Sequence, residues 1–507
     1  MKISAKSLAV MLTCGTVTGG AIFAQQAVPQ PAAGQSTLHA TGIMQDTIQD
    51  VMPVSVLDSM YASYTTSPES ILLNDTVASK SGSPLRISRE ECIAIALQDN
   101  PTIRIADLEV KRLDYSKKEV QGSLFPSIDF SGAYQRTIDL QTMRMNIGGE
   151  SQSLKVGSQN TWNFGFTASM PIISPTLWKS IQISDVQILA ALESARASKL
   201  DLVDQVNKAY YALLLAIATR DVLQQNYDIA VINAEIFSKQ FEYGTASEYD
   251  MLRSSVAVKN IEPELLQADI AIKQCKLQLK VLMGIDYEVD IEPTVTLAEM
   301  QRDMYAYPLG AGDNISNNSS LRSLDIQQKL LEKTVTLRKF AYLPTLGVSY
   351  NINWLSLSNG SPFKNQQFNP YSTVGLALNI PIFSGGARYH ALKQAQVQLK
   401  EIEFQRDYLV NTLNMQVELA LDNINREAEQ IASNAESMKQ AMKAHDIMQK
   451  SFEIGAATYL DLRDSELAST TAQLAYYQAI YNFLISTSEL DLLLGKEDYI
   501  NNNNSTK

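Results

Sequence analysis

The residues best placed to do chemistry lie in a segment that occurs twice. Phe241-Glu242-Tyr243-Gly244 returns 211 residues later as Phe452-Glu453-Ile454-Gly455, and an aspartate, Asp250 or Asp461, stands six residues beyond each glycine. Asp464 follows Asp461 by three, so these two carboxylates share a helical face. Carboxylates gathered from several copies of a chain at a narrow opening would form stacked rings that repel one another and attract cations. The competing reading is a solvated acidic face, because Asp and Glu early in a helix are favoured by its dipole. Gly244 and Gly455 can take the positive φ of a tight helix-to-helix turn, and Ser247 and Thr458 can cap the helix that follows. Both segments therefore read as tips of helical hairpins.

Other reactive constellations are missing. The three histidines, His39, His390 and His445, stand far apart, with no HExxH, CxxC or other metal-ligand spacing. Neither a Gly-rich phosphate loop nor a G-x-S-x-G elbow occurs. No cofactor, metal or enzymatic activity is expected. A formal net charge of −12 with no basic run removes the electrostatic footprint of a nucleic-acid binder.

The amino terminus has Lys2 and Lys6 ahead of a short apolar stretch and a small residue at Ala24, which reads as a signal peptide over 1–24. Lipidation at Cys14 competes with cleavage near Ala24, although Met11-Leu12-Thr13 lacks the small residue usual before such a cysteine. Cys92 and Cys275, both in helical segments, read as free thiols rather than a disulfide framework. Beyond the leader no stretch of roughly 18 apolar residues occurs, so any membrane span must be made of strands.

The elements that carry the tips are themselves duplicated. Leu282-Met283-Gly284 recurs as Leu493-Leu494-Gly495, Met170-Pro171-Ile172 as Ile380-Pro381-Ile382, and Leu124-Phe125-Pro126 is answered by Tyr342-Leu343-Pro344. Between the two prolines of each unit the length differs, where a variable surface loop is expected. Trp162, Phe164, Phe166, Ala168 and Met170 alternate with Asn163, Gly165, Thr167 and Ser169. Leu346 to Trp354 and Val374 to Ile380 alternate in the same way, and Ile128, Phe130 and Tyr134 make a weaker fourth strand. These strands carry almost no charge apart from Asp129 and Arg136, which fits lipid on one face and water on the other. Four strands cannot close a barrel, and three chains would supply twelve.

Apolar residues at steps of three, four and seven elsewhere predict helices packed side by side. One would run from about Thr176 to Glu242, a second from Glu248 to Gly284, and a third from Pro101 to Leu124 stacked end to end with the second. The second unit repeats this with helices near 386–453, 458–495 and 319–342. The expected organisation is a signal peptide at 1–24, an N-terminal extension at 25–86 and a first repeat at 87–284. A connector of little regular structure follows at 285–318, then a second repeat at 319–495 and a disordered tail at 496–507.

Over residues 87–495 the chain resembles the TolC-like outer-membrane efflux protein family. The resemblance rests on the duplication, Asn100-Pro101, the prolines at the strand entries, the Pro-Ile-[Ile/Phe]-Ser exits at 171–174 and 381–384, and the two Phe-x-x-Gly-x-x-[Ser/Thr]-x-x-Asp tips. It implies a membrane α+β fold: a homotrimer whose 12-stranded β-barrel, four strands per chain, continues into a long periplasmic α-helical coiled-coil barrel. It also implies partners, namely a periplasmic adaptor (membrane fusion) protein, an inner-membrane RND or ABC pump, and outer-membrane lipid. Asp461 and Asp464 match aspartates that ring the periplasmic mouth in the family. Tyr243, Gly244, Thr245, Ile454, Gly455 and Ala456 match tips that touch adaptor hairpins. One departure is visible: where the family's best-known member locks an aspartate matching Asp250 with an arginine and a tyrosine, this chain has Ala457 and Phe452. The expected function is a passive exit duct for solutes handed on by a pump. A protein-secretion outlet and a soluble coiled-coil scaffold are the alternatives.

Overall fold

The computed structural model describes residues 85–147, 150–304, 314–363 and 366–497. The expected signal peptide with Cys14 and Ala24, all but the end of the 25–86 extension, and the tail beyond 497 lie outside the described residues.

The chain begins with a short strand β1 (Leu85–Ile87), followed by helix α1 (Arg89–Asp99). Ser88 and Glu91 form the capping box at its start, Ser88 accepting from the Glu91 amide while Glu91 accepts from the Ser88 amide. Helix α2 (Pro101–Gly122) leads into strand β2 (Ser127–Arg136), a ribbon of β3 (Gln141–Ile147) and β4 (Glu150–Val156), and strand β5 (Asn160–Ile173). The long helix α3 (Pro175–Glu242) and its return α4 (Glu248–Met283) complete the first half. After β6 (Ile291–Pro293) and α5 (Leu297–Met304), the second half runs α6 (Ser319–Phe340), β7 (Thr345–Ser358), β8 (Asn369–Asn379), α7 (Ala387–Glu453) and α8 (Tyr459–Leu494). At 68 and 67 residues, α3 and α7 are each about 100 Å long.

End-to-end stacking of the shorter helices has a visible cause. Asn100 caps α2 by accepting from the Thr102 amide (2.7 Å) and donates through Nδ2 to the Leu282 carbonyl at the end of α4 (2.8 Å). Asn318 repeats this, accepting from the Leu321 amide (3.1 Å) and donating to the Leu493 carbonyl (2.8 Å). One amide side chain thus satisfies an orphan donor of the helix that starts and an orphan acceptor of the helix that ends. Gly284 and Gly495 close α4 and α8 at φ 69° and 64°. A Cβ on Gly284 would stand 2.9 Å from the Asp99 carbonyl oxygen, and one on Gly495 would collide with the Asn317 carbonyl.

The four long strands form one antiparallel sheet in the order β2-β5-β7-β8. Its register aligns Phe130, Phe166, Ile352 and Ser372 in one row and Ile128, Ala168, Tyr350 and Val374 in the next. Alternation then puts Asp129, Thr167, Asn351 and Thr373 on the opposite face. One face is therefore almost wholly apolar and aromatic, tied by ring contacts such as Phe130–Phe166 at 4.9 Å and Tyr134–Trp162 at 4.4 Å. The other is built mainly of Ser, Thr, Asn and Gly, with Asp129 and Gln135 on β2 and Leu355, Leu357 and Tyr371 towards one end. Both edge strands, β2 and β8, are exposed along nearly their whole length.

Two expectations need correction. The segment read as a variable surface loop folds as the β3–β4 ribbon, its Met143↔Leu154 and Gln141↔Val156 pairs giving it one partly apolar face. The connector at 285–318, expected to have little regular structure, contains β6 and α5 among its described residues, and β6 pairs in parallel with β1, so the extension's last two residues, Leu85 and Arg86, join it. Ile291 and Leu297, both buried, pin that connector into the main core. This core lies midway along α3, where Val206, Tyr210, Leu213 and Leu214 meet Cys92 and Ile93 of α1, Leu279 of α4, Ile424 of α7 and Ile480 of α8. Cys92 and Cys275 are free thiols, and burial pushes the Cys92 thiol up to about 12. Among the described residues no helix is long and apolar enough to cross a membrane.

Candidate functional site at the hairpin tips

Both tips are made by one local rule. At the first, the Gly244 N–H donates to the Phe241 carbonyl (2.9 Å) and the Thr245 N–H to the Gln240 carbonyl (2.8 Å). At the second, Gly455 donates to Phe452 (2.9 Å) and Ala456 to Ser451 (2.8 Å). This pair of bonds consumes the last carbonyls of α3 and α7 and requires a left-handed residue, supplied by Gly244 at φ 70° and Gly455 at φ 75°. Tyr243 and Ile454 stand at the apices, 82% and 81% exposed.

The helices that leave the tips are capped symmetrically. Ser247 Oγ accepts from the Asp250 amide (3.1 Å) and donates to Asp250 Oδ2 (2.6 Å). Thr458 Oγ1 accepts from the Asp461 amide (3.2 Å) and donates to Asp461 Oδ2 (2.6 Å), which also accepts from the Thr458 amide (3.1 Å). These bonds, the hydroxyl's first and then the amide's, hold the Asp461 carboxyl below its ordinary range. Asp461 thus serves its own helix as well as carrying charge. Asp464 is exposed, with no hydrogen-bond partner among the described residues. Among those residues no group of side chains could hold a metal ion.

Beneath the tips lies a small core that the sequence reading did not find. Phe237, Tyr459 and Leu462 are buried there, with Ala246, Met448 and Phe452 packed around them. The ring of Phe237 meets Tyr459 edge-on at 4.7 Å and Phe452 at 5.8 Å, and the Arg253 guanidinium lies 5.8 Å from the Tyr459 ring centre. The available signal was the helical spacing of Tyr459, Leu462, Glu466 and Ser469, a buried face of α8 interrupted by one carboxylate. Phe452, which stands where the family's best-known member has a residue locking the aspartate, is occupied in packing, and Asp250 is bonded to Ser247. One turn further, Glu466 is buried and takes a 3.3 Å bond from Arg463, leaving its other oxygen unpartnered, and burial raises its carboxyl above the usual range. His445 faces Ser465 at 3.3 Å, and burial lowers its imidazole.

The family model described as outer membrane efflux protein matches residues 92–285 and again 312–496. The chain belongs to the outer membrane efflux protein family. It is an outer-membrane protein with a large periplasmic part. Among relatives, TolC of Vibrio cholerae is 20% identical over 378 residues, covering 74% of this chain and 83% of that protein. The alkaline protease secretion protein AprF of Pseudomonas aeruginosa is 23% identical over 319 residues, or 62% of this chain and 65% of its own length. In fold, this efflux protein is similar to the CmeC outer membrane channel of Campylobacter jejuni, with a TM-score of 0.67 at 17% identity over 82% of this chain and 88% of that one.

Proposed function

We propose that this efflux protein is one subunit of a homotrimeric exit duct, in which three copies pool their sheets into a 12-stranded barrel. The observation that carries the reading is the four-stranded sheet with one continuous apolar face and two unpaired edges. In hydrocarbon every backbone N–H and C=O must be paired, so such a sheet is unstable in lipid until β2 meets the β8 of a neighbouring copy. Strands of 10 to 14 residues have the length a tilted membrane strand needs. The apolar face would meet lipid, and the Ser, Thr and Asn face would line a water-filled lumen. The two halves share the order short helix, strand, strand, long helix and return helix and the same junction asparagines, which supports a tandem duplication.

Below the barrel, α3 and α7 with their stacked partners form the walls of a periplasmic tunnel ending at the tips. Tyr243, Gly244, Thr245, Ile454, Gly455 and Ala456 present their surface to a periplasmic adaptor, which links the duct to an energised inner-membrane pump. Asp461 and Asp464 face the mouth as two rings of three carboxylates, and the duct itself consumes no energy and performs no catalysis. A protein-secretion outlet is a second reading, favoured by likeness to a relative named for protease secretion. In planar bilayers, Asp461→Asn with Asp464→Asn should weaken block by multivalent cations. Unchanged block would remove these acids from the mouth.

A further inference from the structure

The tip core draws on α3 through Phe237, on α7 through Met448 and Phe452 and on α8 through Tyr459 and Leu462, and Arg253 of α4 lies over the Tyr459 ring. It is separate from the main core and lies next to apices that are almost fully exposed. The polar contacts of the tip stay within one hairpin: Ser247–Asp250 in the first, and Thr458–Asp461, Arg463–Glu466, His445–Ser465 and Lys450–Asp446 in the second. Among the described residues of 237–253 and 445–466, no hydrogen bond or ion pair joins the two hairpins. What joins them is ring packing, with Arg253 over Tyr459.

We propose that Phe237, Phe452 and Tyr459 form an aromatic latch that clamps the two hairpins together and positions the acidic mouth, resting on the duct reading above. The helical geometry of α8 makes the link. Tyr459, Leu462 and Glu466 fall on one face, and Asp461 and Asp464 on roughly the opposite one, so seating Tyr459 against Phe237 fixes where both carboxylates point. These are positioning residues that touch no solute. An interaction between neutral rings is not screened by salt as an ion pair is. The latch therefore holds at high ionic strength, and it yields to an apolar wedge or to helix displacement by a partner.

The test uses the full-length protein in planar bilayers at 0.1 M and 1 M KCl, with Phe237→Ala and the pair Tyr459→Ala and Tyr459→Phe, each confirmed by native mass to assemble as the parent does. Loss of one aromatic contact should raise the open-state population on the order of tenfold at both salt concentrations. Tyr459→Phe, which keeps the ring, should conduct as the parent does. The latch is overturned if Phe237→Ala and Tyr459→Ala conduct like the parent, if Tyr459→Phe opens as Tyr459→Ala does, or if raising the salt alone opens the parent. A parent protein that forms no pore at all overturns the duct reading, and the latch with it.

Discussion

Glu466 is the residue whose chemistry is most at odds with its surroundings. It is buried, its Arg463 partner reaches only one oxygen, and desolvation raises its pKa in the folded chain. A carboxyl whose folded pKa is raised stabilises the fold most below its unfolded value near 4.5, and that contribution is lost as pH rises through the folded pKa. Thermal unfolding from pH 4 to 8 should show this loss in the parent and a flatter profile in Glu466→Gln, with the variant at least as stable near pH 8. Asp461 has the opposite sign: the Thr458 bonds that lower its pKa favour the folded state above the ordinary carboxylate range and fade only as pH falls through the lowered value. Asp461 stands out in the sequence because the tip motif is doubled, whereas Asp464, whose counterpart in the first copy is Arg253, stands out only by its spacing of three from Asp461. The capping duty of Asp461 was legible only as a general helix preference. Tyr459 and Phe237 were hidden because their contact spans two hairpins, and periodicity reports only the face a helix buries, not the helix it meets.

At the level of elements, the long helices start and stop within about two residues of the expected positions, since glycine turns and Ser or Thr caps mark their ends chemically. The strands were equally plain, because alternation of aromatic with small polar residues has a period of two. The β3–β4 ribbon escaped notice: Arg144 and Lys155 break up its apolar residues, and the pairing depends on register rather than on composition. Asn318 escaped as the counterpart of Asn100 because Ser319 follows it instead of a proline, yet the two side chains make the same two bonds. Either asparagine changed to alanine removes a helix cap and leaves a half-buried carbonyl without its donor. Asn318→Ala and Asn100→Ala should each cost about 1–3 kcal/mol. Thermal or denaturant unfolding of the detergent-solubilised protein measures this, and an unchanged midpoint would mean that water replaces both bonds.

For the whole molecule, the proposed duct asks of one chain every part except closure. The main core holds the middle of α3 to its neighbours, the asparagine junctions make two short helices serve as one long wall, and the sheet offers an apolar face with two open edges. In the proposed duct, association of copies pairs those edges in lipid and brings the carboxylates of α8 around a common axis. The measurement that tests this most directly is the native mass of the purified protein in detergent. The account predicts a complex of three chains that remains intact when detergent micelles are stripped in the gas phase. A stable single chain that stays soluble without detergent would contradict it.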